Sequence, residues 1–290
     1  MGELARAERV LVTGGAGLVG RHIVKALAAE GFSVGVLDLV EPEGPSETFH
    51  QADVTDPVAL AEALSGWDAV VHLAALLPRS ASSPEEIYRV NAYGTYCVAE
   101  ACIRVGVARL IYCSSDAVLG FAHGEDLPEP RYLPLDEDHP ARPVDPYGVS
   151  KLAGETACHG AAGRSELRAL VLRPPWVWVP EEYVVYREYT TEPGRPDWIR
   201  DLWAYLHVDD LAEAVSMALI TSDLQPFEVL FVAAPDNGTE RSSRSLVKDY
   251  LPVQPRIHGT FGRRESLISS ERARARLAFA PKRTWTEFLA

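Results

Sequence analysis

No stretch of the 290-residue chain approaches eighteen consecutive apolar residues, so no membrane-spanning helix is expected. The start, Met1-Gly2-Glu3-Leu4-Ala5-Arg6-Ala7-Glu8, lacks the apolar core of a secretory leader. Cysteine is scarce. Cys97, Cys102, Cys113 and Cys158 form no Cys-x-x-Cys pair and read as small buried hydrophobes in a reducing compartment. A cytoplasmic location without a metal site is the expectation. Positive charge is short as well. The formal net charge of −13 argues against a nucleic-acid surface. Of 28 basic residues only Lys25, Lys151, Lys248 and Lys282 are lysine, so a motif that needs lysine is hard to obtain by accident. Repeats and low-complexity tracts are absent too.

What is present is an ordinary globular balance. Hydrophobic residues make up 47% and charged residues 24%, enough apolar material for one large core or a domain with a smaller lobe. Short apolar runs alternate with amphipathic segments from the start. Arg9–Thr13, Ser33–Asp38, Thr48–Asp53, Ala69–Leu73, Arg109–Ser114 and Arg168–Leu172 read as strands. Leu18–Glu30, Pro57–Ser65, Pro84–Val105 and Asp145–Gly163 read as helices between them. That order predicts right-handed βαβ units, and the fold class is α/β: a Rossmann-type, doubly wound parallel sheet with a small C-terminal substrate lobe. The expected nucleotide-binding domain covers 1–172, with 206–234 returning to it. The expected lobe is assembled from 173–205, rich in aromatics and proline, and 235–290.

Thr13-Gly14-Gly15-Ala16-Gly17-Leu18-Val19-Gly20 follows the first strand and opens the first helix. Gly14 allows a tight turn, Gly17 a close approach of backbone to pyrophosphate, and Gly20 close packing of helix on sheet. Leu18 and Val19 stand at the helix start, where N–H groups face the phosphates. Asp38 ends the second strand at the position where a carboxylate accepts hydrogen bonds from ribose hydroxyls. It would repel a 2′-phosphate, and Leu39 and Val40 after it offer no cation, so NAD is favoured over NADP. Arg21 is the one nearby residue able to reverse that preference.

Tyr147 and Lys151 lie four residues apart in a predicted helix, hence on one face. A lysine ammonium beside a phenol favours the phenolate and is expected to lower the tyrosine toward a working pH. Eleven tyrosines and four lysines would give this spacing by chance in about 0.15 of such chains. Ser114-Ser115-Asp116 follows the fifth strand, on the same sheet edge as the glycine loop, where a hydroxyl can hold a reacting oxygen against Tyr147.

Together these features resemble the extended short-chain dehydrogenase/reductase family, in its NAD-dependent epimerase/dehydratase branch. The resemblance is carried by the glycine loop, Asp38, Asp53-Val54, His72-Leu73-Ala74-Ala75 and Asn91-x-x-Gly94-Thr95. It continues in Ser114-Ser115-x-x-Val118-x-Gly120, Tyr147-x-x-x-Lys151, Leu172-Arg173-Pro174 and Tyr205-Leu206-His207-Val208-Asp209-Asp210. It implies that Asp53 and Val54 contact adenine and that Leu73, Ala74 and Ala75 line the cofactor path. It makes Ser115 the active-site serine, with Tyr147 and Lys151 catalytic, and gives Asn91 a supporting role in the active-site helix and a proton relay. A homodimer through the helices containing Asn91–Val105 and Tyr147–Gly163 is also implied.

Departures from the branch narrow the expectation. Ser115 is followed by Asp116-Ala117, without the Asp-Glu pair of the dehydratases. Only about thirty residues, Pro174 to Trp203, stand where nucleotide-sugar epimerases carry a longer segment. The layout is similar to uronate dehydrogenase-like members, in which comparison Arg173 faces the substrate and could pair with a carboxylate. Asp116 instead suits a neutral polyol or an amino group. Trp176, Trp178 and Tyr183 form the expected lid. The leading expectation is an NAD-dependent oxidoreductase acting on a secondary alcohol of a small sugar. An NAD-retaining epimerase and a non-catalytic NAD-binding scaffold are the alternatives.

Overall fold

A computed structural model describes residues 6–44, 46–81, 83–121 and 129–289. The first five residues, part of the segment read for a leader, lie outside them. The elements in chain order are β1 (Arg9–Thr13), α1 (Gly20–Ala29), β2 (Ser33–Asp38), β3 (Thr48–Gln51), α2 (Pro57–Ala63), β4 (Ala69–His72) and α3 (Pro84–Tyr88). After a π-helical turn at Arg89–Tyr93 come α4 (Gly94–Val105), β5 (Arg109–Cys113), β6 (Tyr132–Leu133), α5 (Pro146–Ala162), β7 (Arg168–Arg173) and β8 (Trp176–Trp178). The rest are α6 (Tyr183–Thr191), α7 (Pro196–Arg200), β9 (Tyr205–His207), α8 (Val208–Ile220), β10 (Phe227–Phe231), α9 (Ser243–Tyr250), β11 (Arg256–Ile257), α10 (Glu271–Leu277) and α11 (Trp285–Phe288).

Seven of these strands form one parallel sheet in the order β10-β7-β5-β4-β1-β2-β3. The protein is therefore mixed α/β and Rossmann-like. The central strands are apolar on both faces, as a sheet covered on both sides requires: Leu11, Val12, Val70 and Val71 are fully buried. On one face Ile23 and Leu27 of α1 pack with Leu211 and Val215 of α8. On the other, Leu60 of α2 packs with Val98 and Cys102 of α4 and Cys158 of α5. The chain leaves β1 toward β2 and β3 on one side and returns through β4 on the other. This reversal opens a crevice at the carboxyl ends of β1 and β4.

A third core gathers Trp178, Tyr186, Trp198, Trp203 and Tyr205 against Phe231 and the C-terminal Trp285. Its aromatics come from the stretch that showed no clear period in sequence. The helix expected over Pro84–Val105 is not continuous. The π turn at Arg89–Tyr93 carries Asn91, whose Oδ1 accepts from Leu76 N at 2.7 Å and whose Nδ2 donates to Leu76 O at 2.9 Å. The extra residue in that turn is a local cost of the kind found at functional positions. It fixes the chain just after β4.

His72, at the carboxyl end of β4, is wholly buried between two hydroxyls. Nδ1 lies 2.6 Å from Thr13 Oγ1 and Nε2 lies 3.0 Å from Thr95 Oγ1, so β1, β4 and α4 are joined at one point. Burial, and then the charge of Lys151, depresses its pKa to about 3. The unfolded chain therefore binds a proton that the folded chain refuses, and stability is lost as pH falls from about 6.5 toward 3. Urea unfolding across that range is expected to show a slope that His72→Asn reduces by up to about 1.4 kcal/mol per pH unit. An unchanged slope in the variant would show that other groups govern the acid limb.

Candidate active site

A cavity of about 810 Å³ runs along the carboxyl edge of the sheet. Its first end is built on the β1 turn. Gly14 has φ +74°, and a Cβ there would lie 2.6 Å from Ala74 N; a Cβ on Gly20 would drive into the Gly14 carbonyl. Glycine is therefore required at both places, which lets Gly17, Leu18 and Val19 form a bare wall of the cavity. Asp38 closes β2 with Oδ2 accepting from Ala16 N at 3.0 Å and Oδ1 from Leu39 N at 2.7 Å. Leu39, Asp53 and Val54 border the same end, and Leu73, Ala74 and Ala75 form the opposite wall. Arg21 does not reach toward Asp38. Its Nη2 lies 2.9 Å from Glu181 Oε1, and His22 Nε2 lies 3.1 Å from the same carboxylate. A clasp thus joins α1 to the turn before α6.

The second end gathers Ser115, Asp116, Tyr147, Lys151 and Trp176. Asp145 caps α5, its Oδ1 accepting from Tyr147 N and Gly148 N at 2.9 Å each. One turn on, Lys151 Nζ donates to Cys113 O at 2.8 Å and sits 5.7 Å from the centre of the Tyr147 ring. Ser115 Oγ donates to Asp116 Oδ1 at 3.1 Å and accepts from Ala117 N at 3.1 Å.

The electrostatics differ from the sequence expectation. Tyr147 is pushed above the ordinary phenol range by burial first, then by Cys113 and Asp116, with a hydrogen bond to Ser115 acting the other way. Lys151 is itself pushed down by burial. The lowering expected from Lys151 is not what governs Tyr147 here, because desolvation outweighs it. Asp116 is raised to about 7 by burial, against its hydrogen bonds to Ser115 and Ala117 N.

Four expected placements need correction. Arg173 does not border the cavity. Its Nε and Nη2 donate to Glu155 Oε1 and Oε2 at 2.8 and 2.6 Å, both side chains are buried, and Ser114 Oγ adds a third donor to Oε1 at 2.6 Å. The guanidinium is thereby committed to α5 and unavailable to a substrate carboxylate. Asn91 does not border it either; it holds Leu76 and donates to Ser150 Oγ at 3.1 Å. Trp178 is buried in the aromatic core, stacked on Tyr186 at 4.6 Å and Tyr205 at 4.3 Å. Tyr183 turns to His207 Nε2 at 2.6 Å. Of the expected lid only Trp176 faces the cavity.

Sequence reasoning missed Asp197 and Asp201, which border the second end from α7 and from the residue that follows it, and Tyr189, whose hydroxyl donates to Asp197 Oδ2 at 2.5 Å. Asp201 is followed by Leu202 and Trp203 at φ +51° and +55°, left-handed positions that neither residue type announces.

Fold and cleft together define a dinucleotide-dependent short-chain dehydrogenase/reductase of the extended type. The chain belongs to the NAD dependent epimerase/dehydratase family, whose model matches residues 10–191. It is 34% identical over 235 residues to an L-arabinose 1-dehydrogenase (NAD(P)(+)) of Haloferax volcanii, covering 79% of this chain and 89% of that one. It is 29% identical over 261 residues to an uncharacterized protein of Sinorhizobium fredii, covering 85% of this chain but only 61% of that longer relative. Among solved structures, MoeE5 in complex with UDP-glucose and NAD superposes with a TM-score of 0.72 at 26% identity, over 97% of this chain and 96% of that one.

NAD is the cofactor of this family, and the cleft fits it. The glycine cradle, whose tight backbone leaves no room for a Cβ at Gly14 or Gly20, and the acidic end of β2 are the donor and acceptor set that a pyrophosphate and a ribose need.

The Arg173 pairing predicts a structural defect. Arg173→Ala leaves Glu155 buried and unpaired and is expected to cost about 3–5 kcal/mol in urea unfolding. Glu155→Gln with Arg173→Met is expected to cost less than either single change. A stable Arg173→Ala protein that selectively lost activity on acidic sugars would restore the carboxylate role.

Proposed function

We propose that the protein is an NAD-dependent oxidoreductase that interconverts a secondary alcohol and a carbonyl on a small sugar or sugar-derived molecule. The observation that carries this reading is the meeting of Ser115, Tyr147 and Lys151 at one end of a cleft whose other end is a glycine cradle closed by Asp38. Similarity to a sugar dehydrogenase over most of both chains supports it. In the bound state the backbone of Gly17–Val19 takes the pyrophosphate, Asp38 the ribose hydroxyls, Asp53 and Val54 the adenine, and Leu73–Ala75 the facing wall. Bound NAD supplies a cationic ring that accepts hydride. Ser115 Oγ orients the substrate oxygen, and Tyr147 takes its proton as the carbonyl forms. Lys151, anchored on the Cys113 carbonyl, keeps an ammonium beside the phenolate and compensates its burial. Asn91 acts at one remove, by fixing the Leu76 segment that borders the cleft.

The cations that line the cavity among the described residues are Arg79, Arg89 and Lys151, with none from the lobe, which supports a small substrate over one that carries two phosphates. Arg195 is engaged by Glu192 at 3.5 Å and by Tyr189, and Arg187 donates to Leu289 O at 2.9 Å. The competing reading is an epimerase that returns the hydride to the same substrate, and the UDP-glucose bound by MoeE5 is what favours it. A dimer completes the proposal, a second copy covering α4 and α5. Tyr96 of α4 and Val149 of α5 are 49% and 39% exposed, and Tyr93, which ends the π turn before α4, is 46% exposed.

Two measurements test this. In an absorbance screen at the NADH band over sugars, sugar acids and polyols, at least one substrate is expected to reduce added NAD, with NADP weaker and the preference narrowed by Asp38→Ala. Tyr147→Phe is expected to lose ~10²-fold or more in rate with NAD affinity nearly intact. Near-normal turnover in that variant would remove Tyr147 as the base, and tight retained NAD without net reduction would promote the epimerase. Light scattering at micromolar concentration is expected to give twice the mass of the chain; a single-chain mass contradicts the dimer.

A further inference from the structure

The turn Pro180–Glu182, between β8 and α6, places two carboxylates side by side, and they reach opposite walls of the dinucleotide cleft. Glu181 goes to the start of α1. Its Oε1 lies 2.9 Å from Arg21 Nη2, and His22 Nε2 lies 3.1 Å from both carboxylate oxygens. Arg21 and His22 are the two residues that follow Gly20, the last glycine of the cradle. Glu182 goes to the other wall. Its Oε1 is 3.8 Å from Nη2 of Arg79, which continues the wall begun by Leu73–Ala75, and both Glu182 and Arg79 border the cavity. The turn therefore bridges the two walls beside the glycine loop.

The bridge is braced from the lobe. The buried Tyr186 hydroxyl donates to Glu182 Oε2 at 2.7 Å and accepts from Val179 N at 3.2 Å, and its ring is stacked on Trp178. Ahead of the turn, Pro174, Pro175, Trp176 and Val177 border the cavity. The chain between β7 and α6 thus follows the cleft and is then tied across it.

Glu181, Arg21 and His22 do not themselves border the cavity. Their contacts are between protein groups, so they hold the turn in place without gripping a cofactor. Glu181 and Arg21 are each two-fifths exposed, and such pairs add little to the stability of a fold. They can still govern a rate, because lifting the turn from α1 breaks both contacts of one carboxylate together.

We propose that the Pro180–Glu182 turn is a strap across the dinucleotide cleft, and that the contacts of Glu181 with Arg21 and His22 set the rate at which NAD and NADH pass in and out. Weakening them lowers the barrier to entry and to exit alike and leaves the affinity for the cofactor unchanged. The proposal concerns passage of the cofactor. It is independent of whether the hydride goes to a second substrate or returns to the first.

The test is stopped-flow fluorescence of NADH with the whole protein, following entry on mixing and exit on displacement by excess NAD. In Glu181→Gln both rate constants are expected to rise about three- to tenfold, with the dissociation constant held within about twofold. Arg21→Gln gives a smaller rise in both. The double variant is no faster than Glu181→Gln alone, because Glu181 carries both contacts. Raising salt from about 0.05 to about 0.5 M speeds exit more in the wild type than in Glu181→Gln, as screening weakens the exposed pair. Arg21→Gln is the deciding variant should Glu181→Gln not fold, which thermal unfolding run in parallel shows. Entry and exit rates unchanged in the folded variants would overturn the strap. Faster exit with an unchanged entry rate would also overturn it, since Glu181 would then act on affinity and not on passage.

Discussion

The chemistry at the sheet edge depends on how α5 is seated. Tyr147 and Lys151 share a helical face, but a helix face is useful only if it is turned to the end of β5 and held there. Asp145 fixes the first turn by its cap, and the buried pair of Glu155 with Arg173 fixes the third turn to the end of β7. Ser114 joins that pair, so the strand end bearing Ser115 is tied to the same carboxylate. Two glycines let the helix come close: a Cβ on Gly148 would lie 2.5 Å from Ala117 O, and one on Gly154 would strike the Tyr112 hydroxyl. An ion pair so deeply buried gains little net stability over an apolar pair, but breaking it leaves a desolvated charge. Its effect here is geometric, fixing the distance between the serine turn and the tyrosine helix.

The sequence was most legible where short-range rules operate. Period-two and continuous apolar runs located β1, β2, β4, β5 and β7, and the glycine spacing located the loop, because a missing Cβ is written directly in the chain. Legibility ended where partners come from distant elements. Arg173 at a strand end reads equally as a substrate cation or a structural one, and the Glu155 that decides between them lies on another element. Trp176 and Trp178 share one face of β8, their ring centres 6.1 Å apart, yet only Trp176 reaches the cleft while Trp178 is buried in the aromatic core, a division that composition does not reveal. Asp201 gave no signal because the backbone that presents it passes through left-handed Leu202 and Trp203 rather than through glycine. The direction of the Tyr147 shift was also hidden, since burial depends on the whole fold.

The cleft is thus divided in charge as well as in role. One end offers backbone N–H groups and a single acceptor carboxylate; the other offers a base, a hydroxyl and a set of acids. The lobe that covers it is packed on stacked aromatics, and Arg195, Arg241 and Arg264 within it are engaged by its own acids Glu192, Asp249 and Asp236. With a net charge of −13, the field around the molecule opposes the approach of a dianion. These features agree with a small, unactivated substrate, and the absence of a diphosphate receptor among the described residues is the central claim.

Calorimetric titration of the NAD-loaded protein with uridine, thymidine and guanosine diphosphates tests that claim most directly. The account predicts no binding at micromolar concentration for any of the three. Micromolar affinity for one of them would contradict it and make a nucleotide-linked sugar the substrate.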